Sequence, residues 1–237
     1  MNKSKTIAPS HAAGTIQIFQ ATSVDDLLLG HLMLVETEAW GTAGENIGAS
    51  RDKIARRIAS FPAGVTLART NDSQPVGSQF AFRFDWNGSP EALTSWDDLT
   101  ACGWTDTVHC PQGNTGFLVG VGVAPAFRQK EFVHALRWKK PMRASALLIA
   151  VTLDTLFRLG VKQVIGNARV PAYHKRPELS VDDYCSLRRD DGKLFDPVLR
   201  FHEAMGADIT KPVAYSMDDP ESRNAGCWVV YRRPFED

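Results

Sequence analysis

The chain of 237 residues has no excess of charge: Lys+Arg and Asp+Glu both number 27. Without a net field, nothing draws it as a whole to nucleic acid or to an anionic membrane surface. Cysteine is scarce. Cys102, Cys110, Cys185 and Cys227 form no CxxC pair and stand at no zinc-like spacing from histidine, which argues against a structural metal module and a disulfide framework. Long apolar runs are missing too; the longest, around Ala144 to Phe157, contains Asp154 and is too short for a bilayer span. The polar, Ala/Ser-rich stretch Met1 to Gly14 lacks the apolar core of a secretion signal. These absences lead us to expect a cytoplasmic, enzyme-sized protein with no metal, no nucleic-acid partner and no membrane segment. A disordered tail over 1–14 is expected to precede a single domain over 15–237, with no internal repeat or linker.

What is present is an alternation of strand and helix signals. TIQIFQ (15–20) reads as an opening strand, and Ser23 with Asp25-Asp26 introduces a helix through Trp40. After a Gly-rich break at 41–48, a second helix over 50–60 carries Arg51, Lys53, Arg56 and Arg57. The turn Asn71 to Pro75 joins strands 64–70 and 76–85 as a hairpin. In its second strand Phe80, Phe82 and Phe84 share a core face, while Gln79, Ala81, Arg83 and Asp85 share a polar face suited to lining a cleft. The stretch 86–114 is irregular, with a short helix at 90–102, and its Trp86, Trp96 and Trp104 argue against disorder. Strands at 116–125, 162–169, 210–216 and 226–233 and helices at 143–160 and 196–205 complete the order; 170–195 is a second long excursion. Hairpins early and alternation late predict an α/β (α+β) domain with a mixed sheet and helices on both faces.

A buried strand, GFLVGVGVAP (116–125), leads into Ala126-Phe127-Arg128 and, after a basic interruption, into the helix RASALLIAVTLDTLFRLG. A strand that hands over to a cationic helix start offers backbone N–H groups to an anion. This order, with Val123-Ala124-Pro125-Ala126-Phe127-Arg128 set against V-x-P-x-x-R, resembles the GNAT acyltransferase superfamily. Leu147-Leu148 matches the end of the family's G-x-G-x-G-x-x-L-L run if Lys139 takes its first cationic position and about eleven extra residues are allowed. LRFHEAMGA (199–207) is similar to a second family segment, and TSWDDLTACGWTDTVH, NARVPAYHK and LFDPVLRFHEAMGA resemble a GNAT branch found fused to carbon–nitrogen hydrolases.

The resemblance implies a splayed GNAT-like sheet that takes up acetyl-CoA or another acyl-CoA, with direct attack by an acceptor amine on the thioester. It places the carrier against Val121, Val123, Arg128, Lys139, Lys140, Arg143 and Ala144. Met142 and Ala144 stand where the family has glycines that admit a diphosphate, and Lys139, Lys140 and Arg143 supply charge there. His202 occupies the position of the family's acid, set against the bland alternative of a surface histidine. Asp106 and His109 are candidate bases, as are Glu36 and Glu38. Asn167, Arg169 and Tyr173 are candidates for holding the acceptor; Arg169 serves equally well in an ion pair with Asp182 or Asp183. A Cys–His pair at 109–110 is disfavoured because neighbours on an extended segment point apart. The expected partner is a small-molecule amine, and a homodimer is left open. An acyl-ACP-dependent biosynthetic acyltransferase, its donor an acyl carrier protein docked on the basic insert 130–140, is the alternative, and a non-catalytic GNAT-like ligand-binding domain is the third reading.

Overall fold

Helix starts follow the side chains that precede them. In the computed structural model, which describes residues 14–41, 47–134 and 140–235, α1 (Asp26–Trp40) is capped by Asp25, whose carboxylate accepts the N–H of Leu28. Ser50 caps α2 (Arg51–Ser60) and Ser95 caps α3 (Trp96–Thr100). By contrast, α4 (Ala144–Arg158) begins after an extended Arg143 with no side-chain cap. Ser180 caps α5 (Val181–Ser186), and Asp196 caps α6 (Pro197–Ala204), with proline in its first turn. Each such cap contributes about 1 kcal/mol, so the uncapped α4 leaves its first N–H groups for something else.

The strands are β1 (Gly14–Gln20), β2 (Val65–Thr70), β3 (Pro75–Phe84), β4 (Thr115–Val123), β5 (Glu131–His134), β6 (Met142–Arg143), β7 (Gln163–Arg169), β8 (Asp208–Val213) and β9 (Gly226–Tyr231). They form one mixed sheet in the order β6-β5-β1-β2-β3-β4-β7-β9-β8. β4 and β7 are parallel neighbours, as are β1 and β5; β2–β3, β3–β4 and β7–β9 are antiparallel.

Alternation sorts the side chains between two cores. Phe80, Phe82, Phe117, Ile165 and Trp228 pack with Leu29, Leu32, Val35, Ile54 and Ile58 on the α1/α2 face. Ala81, Leu118, Val164 and Val229 pack with Leu147, Leu148, Leu153 and Leu199 on the α4/α6 face. The aromatic face of β3 is therefore core, as expected. Its other face does not line a cleft: Ala81 joins the α4 cluster and Gln79 is fully buried.

Three more expectations change. The helix read over 90–102 shrinks to α3, preceded by a single 3-10 turn at Pro90–Ala92. The basic insert contributes β5, which pairs with β1 and, with β6 just beyond the insert, extends the sheet edge. A short helix, α5, sits inside the second excursion. The tail reading falls on residues 1–13, which lie outside the described residues, as does Lys139. No helix among the described residues is long and apolar enough to cross a membrane.

Trp96 and Trp228 fasten the excursion 86–114 to the sheet, and Trp86 braces it internally. The indole of Trp86 donates to Ser89 O (2.8 Å), that of Trp96 to Val119 O (3.0 Å), and that of Trp228 to Thr94 O (3.1 Å). Gly113 ends the segment against β3, where an added Cβ would lie 2.6 Å from the main-chain N and C of Phe84. Backbone cannot yield as a side chain can, so Gly113→Ala is expected to destabilise the fold by about 1–3 kcal/mol, read as a lower urea midpoint at unchanged slope.

Candidate functional site

β4 and β7 pair only from Thr115↔Gln163 to Leu118↔Gly166. Beyond that point they diverge, while β4 remains paired to β3 and β7 to β9. The divergence coincides with an irregularity in β4. Phe80 faces Gly120 and Ala81 faces Leu118, so Val119 is an extra residue with no partner on β3. A bulge of this kind bends the strand and takes main-chain groups out of the ladder. The Trp96 indole covers the Val119 carbonyl.

The gap opens into a cavity of about 640 Å³ that runs from one face of the sheet to the other. Around the gap its walls are Leu118 to Val121 of β4 and Gly166 to Arg169 of β7. On the α4/α6 side it meets Arg143, Ser145, Phe201 and His202; on the α1/α2 side it meets Glu36, Trp40, Lys53, Arg57, Trp96 and Cys102. An adjoining pocket of about 420 Å³ lies at the start of α4, walled by Val121, Val123, Arg128, Arg143, Ser145 and Arg169, with Glu221 beside them.

Arg143 is shared by both spaces. Arg128 is anchored by carbonyls, Val123 O at 3.1 Å and Ala39 O at 2.9 Å, and no carboxylate among the described residues pairs with it. Met142 turns into the core with Phe132 and Leu147 rather than into the pocket, leaving the main chain at the start of α4 unobstructed by it. Ala144 is buried beneath that turn and Lys140 is exposed, away from the cavity walls.

His202 is buried, against the bland reading of a surface histidine. Its Nδ1 lies 2.6 Å from the Tyr231 hydroxyl, and desolvation lowers its pKa from 6.5 to about 4. The ring is thus neutral at neutral pH, and any proton it gives comes from a neutral imidazole. Asn167 accepts the Ser216 hydroxyl at 2.7 Å, while its Nδ2 is buried with no hydrogen-bond partner among the described residues. Its side chain leans over Gly226, where a Cβ would meet Asn167 Oδ1; glycine in β9 makes room for it.

Arg169 is committed. It grips Asp219 in two bonds of 2.6 and 2.7 Å and reaches Glu221 at 3.1 Å, so its partners are these and not Asp182 or Asp183. Tyr173 is buried with its hydroxyl on Leu179 O (3.0 Å), outside the cavity wall. His109 and Asp106 also stand outside it. The His109 ring stacks on Phe61 and its Nδ1 accepts the N–H of Arg83; Asp106 pairs with Arg56 at 3.2 Å. Cys110 Sγ is directed to Asp85. Glu36 lines the cavity and accepts the N–H of Ala49 at 2.8 Å, its carboxyl pushed up by burial; Glu38 is solvent-exposed.

Sequence reading missed Lys53, Arg57, Cys102 and the role of Trp96 in this wall. Two signals were available: Lys53 and Arg57 stand four apart and so on one side of a helix, and the alternating glycines of Val119 to Val123 mark an irregular strand.

No protein-family model matches the chain. It is 27% identical over 192 residues, spanning 78% of this chain and 76% of the other, to the uncharacterized N-acetyltransferase YkwB of Bacillus subtilis (strain 168). It is 26% identical over 152 residues to the probable hydrolase YhcX of the same organism, a match covering 64% of this chain but 26% of that protein. Among solved structures it is similar to the loading GNATL domain of CurA from Lyngbya majuscula, with a TM-score of 0.72, 22% identity, and 92% and 98% of the two chains covered. It is also similar to the GphF GNAT-like decarboxylase in complex with isobutyryl-CoA, with a TM-score of 0.68, 25% identity, and 91% and 98% covered.

The burial of neutral His202 makes stability depend on pH. Below 6.5 the unfolded chain takes up a proton that the folded chain refuses until about pH 4. Stability is therefore complete above 6.5 and is lost as pH falls toward 4, by about 3 kcal/mol from this group. Urea titrations across that range should show the loss, and His202→Gln should remove this component of the slope.

Proposed function

We propose that the chain is a GNAT-type acyltransferase that binds an acyl-CoA in the gap between β4 and β7 and transfers the acyl group to an amine. The observation that carries the reading is the cavity itself: one continuous space reaches from the cationic start of α4, through the divergent strands, to the opposite face of the sheet. A donor entering from one face and an acceptor from the other meet at Val119 to Val121, so direct attack needs no covalent enzyme intermediate.

The residues present suit such a donor. The diphosphate takes the uncapped N–H groups of α4 together with Arg128 and Arg143, which stand in for the absent glycines. The pantetheine amides take the main-chain groups of β4 and β7 that have lost their ladder partners. At the reacting carbon, the unpartnered Nδ2 of Asn167 is a donor for the charge developing on the thioester oxygen. Tyr231 donates to His202 Nδ1, which keeps the imidazole proton on Nε2; that N–H hydrogen-bonds the departing sulfur, which takes its proton from the attacking nitrogen as the C–S bond breaks and the imidazole stays neutral.

A second reading takes the thiol of an acyl carrier protein as the acceptor. It is favoured by the similarity to a structure described as a loading domain and by exposed Lys130 and Lys140 at the ends of the insert.

Thermal shift tests the donor site. CoA and acetyl-CoA are expected to raise Tm, and Arg143→Ala to weaken CoA binding by about tenfold; no shift with either ligand rejects the reading. His202→Gln should lower the turnover of acyl transfer by about a hundredfold while CoA affinity stays within about twofold. Unchanged turnover removes the histidine from the chemistry.

A further inference from the structure

The α1/α2 side of the cavity holds two cations that no carboxylate of the described residues bonds directly, although Glu36 and Asp106 act on Arg57, and Asp97 on Lys53, through space. Lys53 and Arg57 both line the cavity, one helical turn apart on α2. Their acceptors are carbonyls and not carboxylates: Lys53 Nζ donates to Cys102 O at 2.8 Å, and Arg57 Nε and Nη2 both donate to Gly103 O, at 3.2 and 2.8 Å. Among the described residues neither cation is in an ion pair, and Arg57 Nη1 has no acceptor.

The carbonyls are presented by three consecutive left-handed residues, Ala101, Cys102 and Gly103, with φ of 49°, 52° and 84°. Left-handed backbone is unfavourable for side-chain-bearing residues such as Ala101 and Cys102. That is conformational strain spent on placing two carbonyls where they aim the cations rather than quench them. Arg57 is 6% exposed and lies 4.8 Å from the centre of the Phe80 ring. Burial lowers the pKa of both cations, that of Arg57 to about 10. Buried positive charge beside open space is a site awaiting an anion.

Two carboxylates flank these cations. Glu36 is buried on the same wall, and Asp97, its acidity weakened by burial, also lines it. A wall with paired cations and nearby carboxylates suits a ligand that brings one charge of each sign. We propose that the acceptor is an amino acid, its carboxylate held by Lys53 and Arg57 and its amine, beside Glu36, facing the gap between β4 and β7. This rests on the acyl-transfer reading and specifies the acceptor that reading leaves open. Glu36 then accepts the proton that the ammonium loses before it attacks.

Trp40 and Trp96 line the cavity, so intrinsic fluorescence reports binding without turnover. The full chain, with and without saturating CoA, is titrated with each proteinogenic amino acid, with the amine lacking its carboxylate and with the acid lacking its amine. At least one amino acid should bind about tenfold more tightly than its amine counterpart. Lys53→Met should shrink that preference at least about threefold and Lys53→Arg should keep it, both with CoA affinity unchanged.

The assignment is overturned if no amino acid outbinds its amine, or if Lys53→Met leaves the preference intact. It is also overturned if Lys53 instead governs a preference for succinyl-CoA over butyryl-CoA, which would place the carboxylate on the donor. Failure of CoA itself to bind sinks the donor reading separately, because the amino-acid titrations without CoA still stand.

Discussion

The parting of β4 from β7 after Leu118↔Gly166 is the constraint on which the rest of this molecule depends. Parallel strands that stayed paired to Val123 and Arg169 would fill the cavity with their own ladder. They separate because each is held elsewhere. β4 follows β3 through the extra residue at Val119, which the Trp96 indole covers, and β7 follows β9 from Val164 to Arg169. The gap thus belongs to the middle of a sheet whose two flanks are intact. Its main-chain groups are left for a ligand, while the cores above and below remain closed.

Charge is arranged around this gap with a consistent logic. Arg128, Lys53 and Arg57 are all gripped by backbone carbonyls, which fix a guanidinium or ammonium without cancelling it. Arg169 is the contrast. Its two bonds to Asp219 and its contact with Glu221 spend its donors within the protein, and it braces β7 against the loop before β9. The first group of cations is poised for anions from outside, and the second serves the scaffold. Residue type alone does not separate these roles; the identity of the acceptor does.

This explains how much was legible in the sequence. Strand and helix order could be read because periodicity writes it locally: the Phe80/Phe82 alternation, the serine and aspartate caps, the apolar run of α4. The GNAT-like order of elements followed from the same signals. The position of His202 was also legible, through the segment around Phe201 and Gly206, although its burial was not, because burial depends on Tyr231 lying across the sheet. The edge hairpin was missed since EFVH is short and sits among basic residues. Lys53 and Arg57 looked like a solvated basic helix face; which side of α2 meets the cavity is decided by how Ile54 and Ile58 seat against the sheet. The partners of Arg169 lie some fifty residues away, beyond any local pattern.

The edge hairpin also bears on affinity. Arg143 ends β6, where it is paired with Glu131, and is also the residue from which α4 starts. Its backbone is pinned from both directions before any ligand arrives. Backbone on such a mount surrenders little freedom when its guanidinium engages a phosphate, so the protein's own entropic penalty is confined to that side chain's rotamers. Recognition at this end of the cleft is accordingly a matter of fit to a preset frame, and tolerance for varied ligands has to come from the opposite face.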